Sequence, residues 1–232
     1  GGEFAAGESS DLLSILIQQE GLTDDDILYI LFDLIIAGSD TTASTLTAAL
    51  YLLHEPRHRS SLEAARAEAL EVGIADLRLE DIRGRLPFLS AVARETLRLF
   101  PPVPFIGRTS TSAAEVEGFS LPVGSTACWS PFYLGRDPTS WGKDAAAFDP
   151  FRWMADPITG GAPSSFCWLP FGAGPRGCLG TRLGLTEVVV GTAGLLKDFE
   201  FTFERDGELR YKYDLTLNLE GSAICSVKPR AI

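Results

Sequence analysis

The stretch Phe171-Gly172-Ala173-Gly174-Pro175-Arg176-Gly177-Cys178-Leu179-Gly180 decides how this chain of 232 residues is interpreted. It fills the pattern F-x-x-G-x-R-x-C-x-G, whose five fixed positions would recur by chance on the order of 10⁻⁷ times per window at average residue usage. Gly172, Gly174 and Gly180 allow the backbone to take positive φ angles and to approach a flat ligand closely. The stretch is therefore predicted to be a compact loop that can accept a planar group.

Cys178 is the candidate ligand in this loop. A helix is predicted to begin where the loop ends and to continue to about residue 197. Its free N–H groups and the positive end of its dipole would point at the Cys178 sulfur and favour the thiolate. Arg176 adds positive charge and can bind an anionic group. The alternative is a tight loop that holds a buried, inert cysteine.

The loop resembles the haem-binding loop of cytochrome P-450, and the resemblance extends over most of the chain, from Thr23 to Lys228. It implies the C-terminal portion of that fold, mainly α with a small β-meander. It also implies haem b (iron protoporphyrin IX) as the cofactor, with the Cys178 thiolate as axial ligand to the metal. The residues implied to bind the cofactor are Cys178, Arg176, Phe171, Gly172, Gly174, Gly180, Arg108, Ala37 and Gly38. Arg108 resembles a second propionate ligand but is equally well explained as an exposed strand arginine.

Two further segments follow the order of the family. Glu95-Thr96-Leu97-Arg98 resembles its E-x-x-R helix, and Phe148-Asp149-Pro150-Phe151-Arg152-Trp153 resembles its aromatic-arginine segment. Glu95 and Arg98 are three residues apart and share one helix face, so that Arg152 could complete a buried Glu-Arg-Arg network. The implied role of the network is to hold the haem loop. By itself, E-x-x-R is also the pattern of an ordinary helical ion pair.

Ala37-Gly38-Ser39-Asp40-Thr41-Thr42 resembles the oxygen-activation segment of the family. Its first two residues are small, which would let the helix pass close over the haem face. A Thr41 hydroxyl beside Asp40 could feed protons to dioxygen through a water chain, so these two are the candidate catalytic residues. The alternative is a Ser/Thr-rich stretch that only bends the helix by bonding to the preceding turn.

The activity implied by the resemblance is monooxygenation: hydroxylation of a hydrophobic small molecule with dioxygen and electrons from a reductase or a ferredoxin. The apolar stretches implied to face the substrate are 34–42, 103–106 and 215–217. Two alternatives stay open. One is a haem-thiolate isomerase or dehydratase that needs no reductant, and the other is a truncated, non-catalytic haem-binding fragment, because members of the family are normally longer.

The composition excludes some classes of protein. A net charge of −11 and a pI near 4.7 argue against a nucleic-acid partner, which would need clustered Lys and Arg. Four scattered cysteines favour a reducing compartment. The apolar stretch 27–53 contains Asp33 and Asp40, so no transmembrane helix is predicted there. Membrane association through a preceding half stays open, and details of the loop resemble intracellular members of the endoplasmic reticulum or the plastid, carotenoid-ring hydroxylases in particular.

The chain is predicted to contain five segments: a lead-in (1–22), the long helix and the E-x-x-R helix (23–100), a β-meander and surface meander (101–169), the haem loop and its helix (170–197), and C-terminal strands (198–232). Thr23 and Asp26 predict a capping box at the start of the long helix. The predicted helices are 12–19, 24–54, 61–72 (a surface helix) and 86–100. The predicted strands are 105–108, 115–119 and 126–130, followed by an irregular surface segment at 135–161 and by terminal strands turned at Asp206-Gly207 and near Gly221. Gly135-Arg136-Asp137-Pro138 departs from the family, where many relatives have His before Arg-Asp-Pro.

Overall fold

The computed structural model describes residues 11–73, 77, 82–154, 164, 166–204, 210–220 and 224–230. The chain divides into two compact units, one ending at Asp40 and the other beginning at Thr41. The predicted lead-in at 1–10 and the predicted turns at Asp206-Gly207 and Gly221 lie outside the described residues.

Helices make up most of the described chain. They are α1 (Leu12–Ile17), α2 (Asp24–Leu53), α3 (Arg59–Glu71), α4 (Ile82–Arg85), α5 (Pro87–Leu99), α6 (Pro131–Leu134), α7 (Pro138–Trp141) and α8 (Thr181–Asp198). Single 3-10 turns lie at Pro56–His58, Pro150–Met154 and Gly174–Arg176. The predicted long helix, the E-x-x-R helix and the helix after the glycine loop are confirmed as α2, α5 and α8. The mainly α fold class is confirmed with them.

The capping box predicted at the start of α2 is present. The Thr23 N–H donates to Asp26 Oδ2 at 2.9 Å, and the Asp26 N–H donates to Thr23 Oγ1 at 3.2 Å. Hydrogen bonds from Thr23, chiefly from its hydroxyl, lower the pKa of Asp26 below its ordinary value. The boundary follows from local sequence because the two residues satisfy each other's backbone donors.

α2 is long and apolar enough, by length and composition, to cross a membrane. Asp33 and Asp40 do not lower its mean hydropathy enough to fail that test, and the prediction that this stretch does not span a membrane stays a prediction. Core helices of soluble proteins and signal sequences pass the same test. In the unit that begins at Thr41, residues 48–53 of α2 are buried in the hydrophobic core.

The strands form four antiparallel pairs: β1 (Ile106–Thr109) with β4 (Thr126–Trp129), β2 (Ala114–Val116) with β3 (Phe119–Leu121), β5 (Phe199–Phe203) with β8 (Cys225–Pro229), and β6 (Arg210–Tyr213) with β7 (Leu217–Glu220). The sequence predicts a β-prone run at 115–119 that is broken by Gly118, and this break is confirmed. Glu117 and Gly118 have φ angles of 53° and 81° and form the turn between β2 and β3. This hairpin is inserted between the paired strands β1 and β4.

One core fills the space between α3, α5, α8 and the buried end of α2. α3 was predicted to be a surface helix, but Ser61, Ala65 and Ala69 recur every four residues on one face and are buried. Small side chains on that face allow α3 to pack against α5 and α8. A helix rich in charged residues thus also contributes to the core.

The predicted irregular surface segment at 135–161 is wrong for its first part. It contains α7 and a 3-10 turn, and Trp141, Phe148 and Trp153 are buried. Trp141 packs with its ring centroid 5.6 Å from that of Trp153 and donates its indole N–H to the Leu134 carbonyl at 2.9 Å. The indoles give this glycine- and proline-rich segment a small core of its own, while residues 155–161 lie outside the described part.

Candidate functional site

The glycine loop is folded back on itself just before α8. The Cys178 N–H donates to the Phe171 carbonyl at 2.9 Å, and the Gly177 N–H donates to the Gly174 carbonyl at 2.9 Å. Gly172 and Gly174 have φ angles of +68° and +71°, in the left-handed region that favours glycine. The backbone of this loop therefore requires glycine at these two positions.

Cys178 is exposed, three residues before the first residue of α8. Its carbonyl accepts a hydrogen bond from Thr181 Oγ1 at 2.9 Å, which joins the loop to the first turn of the helix. A Cβ atom at Gly180 would lie 3.7 Å from the Cys178 sulfur, in ordinary van der Waals contact with it. The buried, inert cysteine considered as an alternative is contradicted by this exposure.

Arg108 and Arg176 are brought together at the loop. Arg108 lies on β1, and its Nη2 donates to the Arg176 carbonyl at 3.2 Å. The Arg108 guanidinium also stacks over the Trp129 ring, 5.4 Å from its centroid. Both arginines are exposed. The glycine loop and the adjacent strand β1 thus each carry a guanidinium group that can bind a carboxylate.

Glu95 is the centre of a buried network of hydrogen bonds. Arg98 donates from Nε to Oε2 at 2.7 Å and from Nη2 to Oε1 at 2.8 Å, while Arg152 donates from Nε to Oε1 at 3.1 Å. The Trp153 indole N–H and the Asp149 backbone N–H complete the set, each at 2.8 Å. The Glu95 and Arg98 side chains are completely buried. The structure therefore joins the three charged residues that the sequence singled out.

Arg98 also ties α5 to the segment that follows α6. Its guanidinium donates to the carbonyl groups of Gly135, Ala145 and Ala147. A Cβ atom at Gly135 would overlap the Arg98 carbonyl oxygen. The close approach of the two backbones depends on this glycine, at the position where the sequence departs from many relatives.

Gly135→Ala is expected to destabilise the protein by about 1–3 kcal/mol, because a backbone in contact with buried Arg98 has to move. Urea unfolding measures the change. Gly84→Ala is the matched control, since a Cβ atom at Gly84 would meet no atom within 4 Å among the described residues. Equal midpoints for the two variants would contradict the expectation.

Aromatic rings connect the Glu95 network to the glycine loop. The Trp153 and Trp168 ring centroids are 5.6 Å apart, and those of Trp168 and Phe171 are 6.1 Å apart, both edge to face. Trp168 Nε1 also donates to the Arg94 carbonyl on α5 at 3.2 Å. The sequence analysis named Trp153 within the aromatic-arginine segment and missed Trp168, whose signal was its position three residues before Phe171.

Glu68 is a second residue that the sequence analysis missed. It lies on α3, and its carboxylate accepts the backbone N–H groups of Phe88 and Leu89 at 2.8 and 2.7 Å. These are free donors of the first turn of α5, so one helix caps another. Burial raises the pKa of Glu68 above its ordinary value, although the two backbone hydrogen bonds oppose the shift. The contact fixes the start of the helix that carries Glu95.

The oxygen-activation segment crosses the division between the two units. Ala37, Gly38 and Asp40 lie on α2 in the unit that ends at Asp40, and Thr41 lies in the unit that contains Cys178. Thr45 Oγ1 donates to the Thr41 carbonyl at 2.8 Å, which is the back-bonding considered as the alternative for this stretch. This back-bond comes from Thr45, which lies outside the stretch 37–42.

The stretch 215–217, which is implied to face the substrate, is hydrogen-bonded to residues that lie near the other two implied stretches. The Leu217 N–H donates to the Pro102 carbonyl at 2.8 Å, next to the 103–106 stretch, and the Leu217 carbonyl accepts from Ser44 Oγ at 2.6 Å. Phe105 and Leu215 nearby in sequence are exposed.

Comparison with known proteins decides the family. The sequence model described as cytochrome P-450 matches residues 3–223. The chain belongs to the cytochrome P-450 family. It is 35% identical to flavonoid 3'-monooxygenase CYP75B3 of Oryza sativa subsp. japonica over 98% of the chain and 47% of that protein. It is 36% identical to geraniol 8-hydroxylase of Catharanthus roseus over 91% of the chain and 44% of that protein.

A mammalian relative, cytochrome P-450 4F3 of Mus musculus, is 34% identical over 97% of the chain and 44% of its own length. The chain thus spans about half the length of the curated relatives that it matches. Both plant and animal members of the family match the chain over nine tenths or more of its length.

The described residues of this cytochrome P-450 chain fit a haem with a thiolate ligand, as the family implies. Cys178 is exposed three residues before the first residue of α8, so its sulfur is accessible to an iron ion. Gly180 keeps a side chain away from that sulfur. Arg108 and Arg176 provide cations for two propionates.

Proposed function

We propose that this chain holds the haem of a monooxygenase that hydroxylates a hydrophobic small molecule with dioxygen and electrons from a reductase or a ferredoxin. The observation that carries the proposal is the exposed Cys178 in a glycine loop at the start of α8, joined by Arg176 to Arg108 on β1. A thiolate-ligated haem b would supply the activation of dioxygen. The named monooxygenase and hydroxylase among the relatives support the same class of reaction.

In this proposal Cys178 is the axial ligand, and Arg108 and Arg176 bind the propionates. Phe171, Gly172, Gly174 and Gly180 would form the haem-binding surface of the loop. Ala37 and Gly38 are proposed as cofactor-binding residues because their small size leaves α2 accessible to a flat group. Thr41 Oγ1 donates a proton to dioxygen, and Asp40 replaces that proton from the solvent side. Glu95, Arg98 and Arg152 are positioning residues that hold the loop through the aromatic contacts of Trp153 and Trp168.

The substrate surface is apolar in the unit that begins at Thr41. Val103, Phe105 and Leu215 are exposed there, which favours a hydrophobic ligand over a charged one. We propose an intracellular protein of the endoplasmic reticulum or the plastid, on the resemblance of the loop to members from these compartments. Product analysis with the haem-loaded protein and its reductase would identify the substrate.

The carbon monoxide difference spectrum of the reduced protein, expressed from its complete gene, tests the site. A red-shifted Soret band is expected, because an anionic sulfur donates charge to the iron. A protein without bound haem would support the non-catalytic fragment instead. Product formed from a peroxide without any reductant would favour the isomerase or dehydratase alternative.

Thr41→Ala is expected to leave haem binding intact and to divert most of the electrons to peroxide, because the proton donor is lost. Peroxide and hydroxylated product are measured for a given consumption of reductant. Thr47→Ala, on the same helix, is the matched control and is expected to leave the ratio unchanged. Coupling equal to that of the unsubstituted protein would remove Thr41 from the mechanism.

A further inference from the structure

Two side-chain hydroxyl groups tether one turn of α2 to other elements. Thr42 Oγ1 donates to Glu187 Oε2 on α8 at 3.1 Å, although the two residues are 145 positions apart in sequence. Ser44 Oγ donates to the Leu217 carbonyl on β7 at 2.6 Å. Both contacts lie within the unit that begins at Thr41. This turn is thus held by two different elements, α8 and β7.

The directions of the two tethers around the axis of α2 restrict the direction of the Thr41 side chain. Successive residues of an α-helix are about 100° apart around its axis, so Thr42 lies about 100° from Thr41 on one side and Ser44 lies about 60° from it on the other. The side-chain direction of Thr41 is therefore bracketed by the tethers. A rotation of α2 that moved the Thr41 hydroxyl would have to stretch one of the two hydrogen bonds.

The face of α8 that carries Glu187 is shaped to receive α2. Gly184, Glu187 and Gly191 lie on one helix face at i, i+3 and i+7. A Cβ atom at Gly184 would lie 4.0 Å from Thr42 Oγ1, and one at Gly191 would lie 3.4 Å from Leu46 Cδ2. A Cβ atom would be accommodated at either glycine, and the Thr42–Glu187 hydrogen bond is a polar contact between the two helices.

We propose that Glu187 is a positioning residue for Thr41. By accepting the Thr42 hydroxyl it fixes the rotation of α2 at this turn and ties the turn to α8, the helix that begins three residues after Cys178. The inference rests on the proposed function, in which the Thr41 hydroxyl donates a proton. It assigns Glu187 the separate task of aiming that hydroxyl.

Matched substitutions separate the hydrogen bond from the charge. Glu187→Ala and Thr42→Val remove the contact, whereas Glu187→Gln and Thr42→Ser keep an acceptor or a donor. Glu63→Ala is the control, because Glu63 pairs with Arg59 on the exposed face of α3. Amide hydrogen exchange of residues 41–46 and the share of electrons released as peroxide are measured on the haem-loaded protein expressed from its complete gene.

Glu187→Ala and Thr42→Val are expected to speed exchange at 41–46 by about fivefold, the factor that corresponds to a hydrogen bond of about 1 kcal/mol. They are also expected to raise the peroxide share, and the double variant should be no worse than either single one. Glu187→Gln, Thr42→Ser and Glu63→Ala should match the unsubstituted protein in both measurements.

Three results would overturn the proposal: unchanged exchange in Glu187→Ala, additive effects in the double variant, or faster exchange with an unchanged peroxide share. The last of these would reduce Glu187 to a purely structural contact. The proposed function fails separately, through the absence of a thiolate spectrum in the unsubstituted protein. In that case the exchange of residues 41–46 still decides whether Glu187 holds α2.

Discussion

Cys178→Ser is expected to abolish the thiolate signature in the carbon monoxide difference spectrum of the reduced protein. Serine has nearly the same shape, and the backbone hydrogen bonds of the loop do not depend on the sulfur: the residue 178 N–H bonds to the Phe171 carbonyl, and its carbonyl accepts from Thr181. The loop should therefore fold. A hydroxyl at this position does not ionise near neutral pH, so the anionic ligand is lost while the fold is kept.

The chain offers a matched control for this substitution. Cys128 is also exposed, but it lies on β4 opposite Gly107, outside the glycine loop. Cys128→Ser is expected to keep both the thiolate band and the haem content of the unsubstituted protein. Circular dichroism would show that each variant is folded. A full thiolate band in Cys178→Ser would eliminate Cys178 as the ligand and with it the proposed function.

Local signals explain why the sequence predicts the loop and the long helices well. The capping box of Thr23 and Asp26 marks the start of α2, and the proline at residue 101 marks the end of α5 within two residues. The glycines of the loop are needed by positive φ angles that other residues rarely adopt. In each case the residues that decide the structure are near one another in the chain.

The predictions from sequence were incomplete where the local structure depends on contacts between residues that are distant in the chain or on an unusual backbone angle. Trp141 and Trp153 make 135–154 a packed segment, yet its glycines and prolines are typical of an exposed loop. Gly118 marks the break in the run 115–119, but the sequence does not show that Glu117 takes part in the turn, because its residue type does not signal a positive φ angle. Short-range patterns carry no information about either feature.

The same limit applies to the candidate site. Sequence order and type pointed to Glu95, Arg98 and Arg152, which the structure joins. Glu68, Trp168 and Glu187 were missed because each acts through a contact with a distant element: a carboxylate on free helix N–H groups, an indole on a carbonyl, and a carboxylate on a hydroxyl. Glu and Trp residues recur throughout any sequence, so that only the folded structure identifies their hydrogen-bond partners.

Glu95→Ala is expected to destabilise the protein by about 3–5 kcal/mol, the usual cost of removing one partner from a buried ion pair. Glu95 accepts hydrogen bonds from two arginines, an indole and a backbone N–H. Each of these four groups would lose the Glu95 carboxylate as an acceptor. Urea unfolding of the haem-free protein measures this change independently of cofactor binding. Glu63→Ala, at an exposed ion pair, is the control and is expected to cost less than about 1 kcal/mol.

Arg98→Leu extends the test, because Arg98 also donates to the carbonyl groups of Gly135, Ala145 and Ala147. Its loss should cost at least as much as the loss of Glu95, since it leaves a buried carboxylate with fewer donors and three carbonyl groups without this donor. The double variant should be less destabilised than the sum of the two single variants, because the second substitution removes a charge that the first has already deprived of its partner. Additive costs would mean that Glu95 and Arg98 act independently. A small cost for Glu95→Ala would mean that the loop before Cys178 is held by aromatic packing alone.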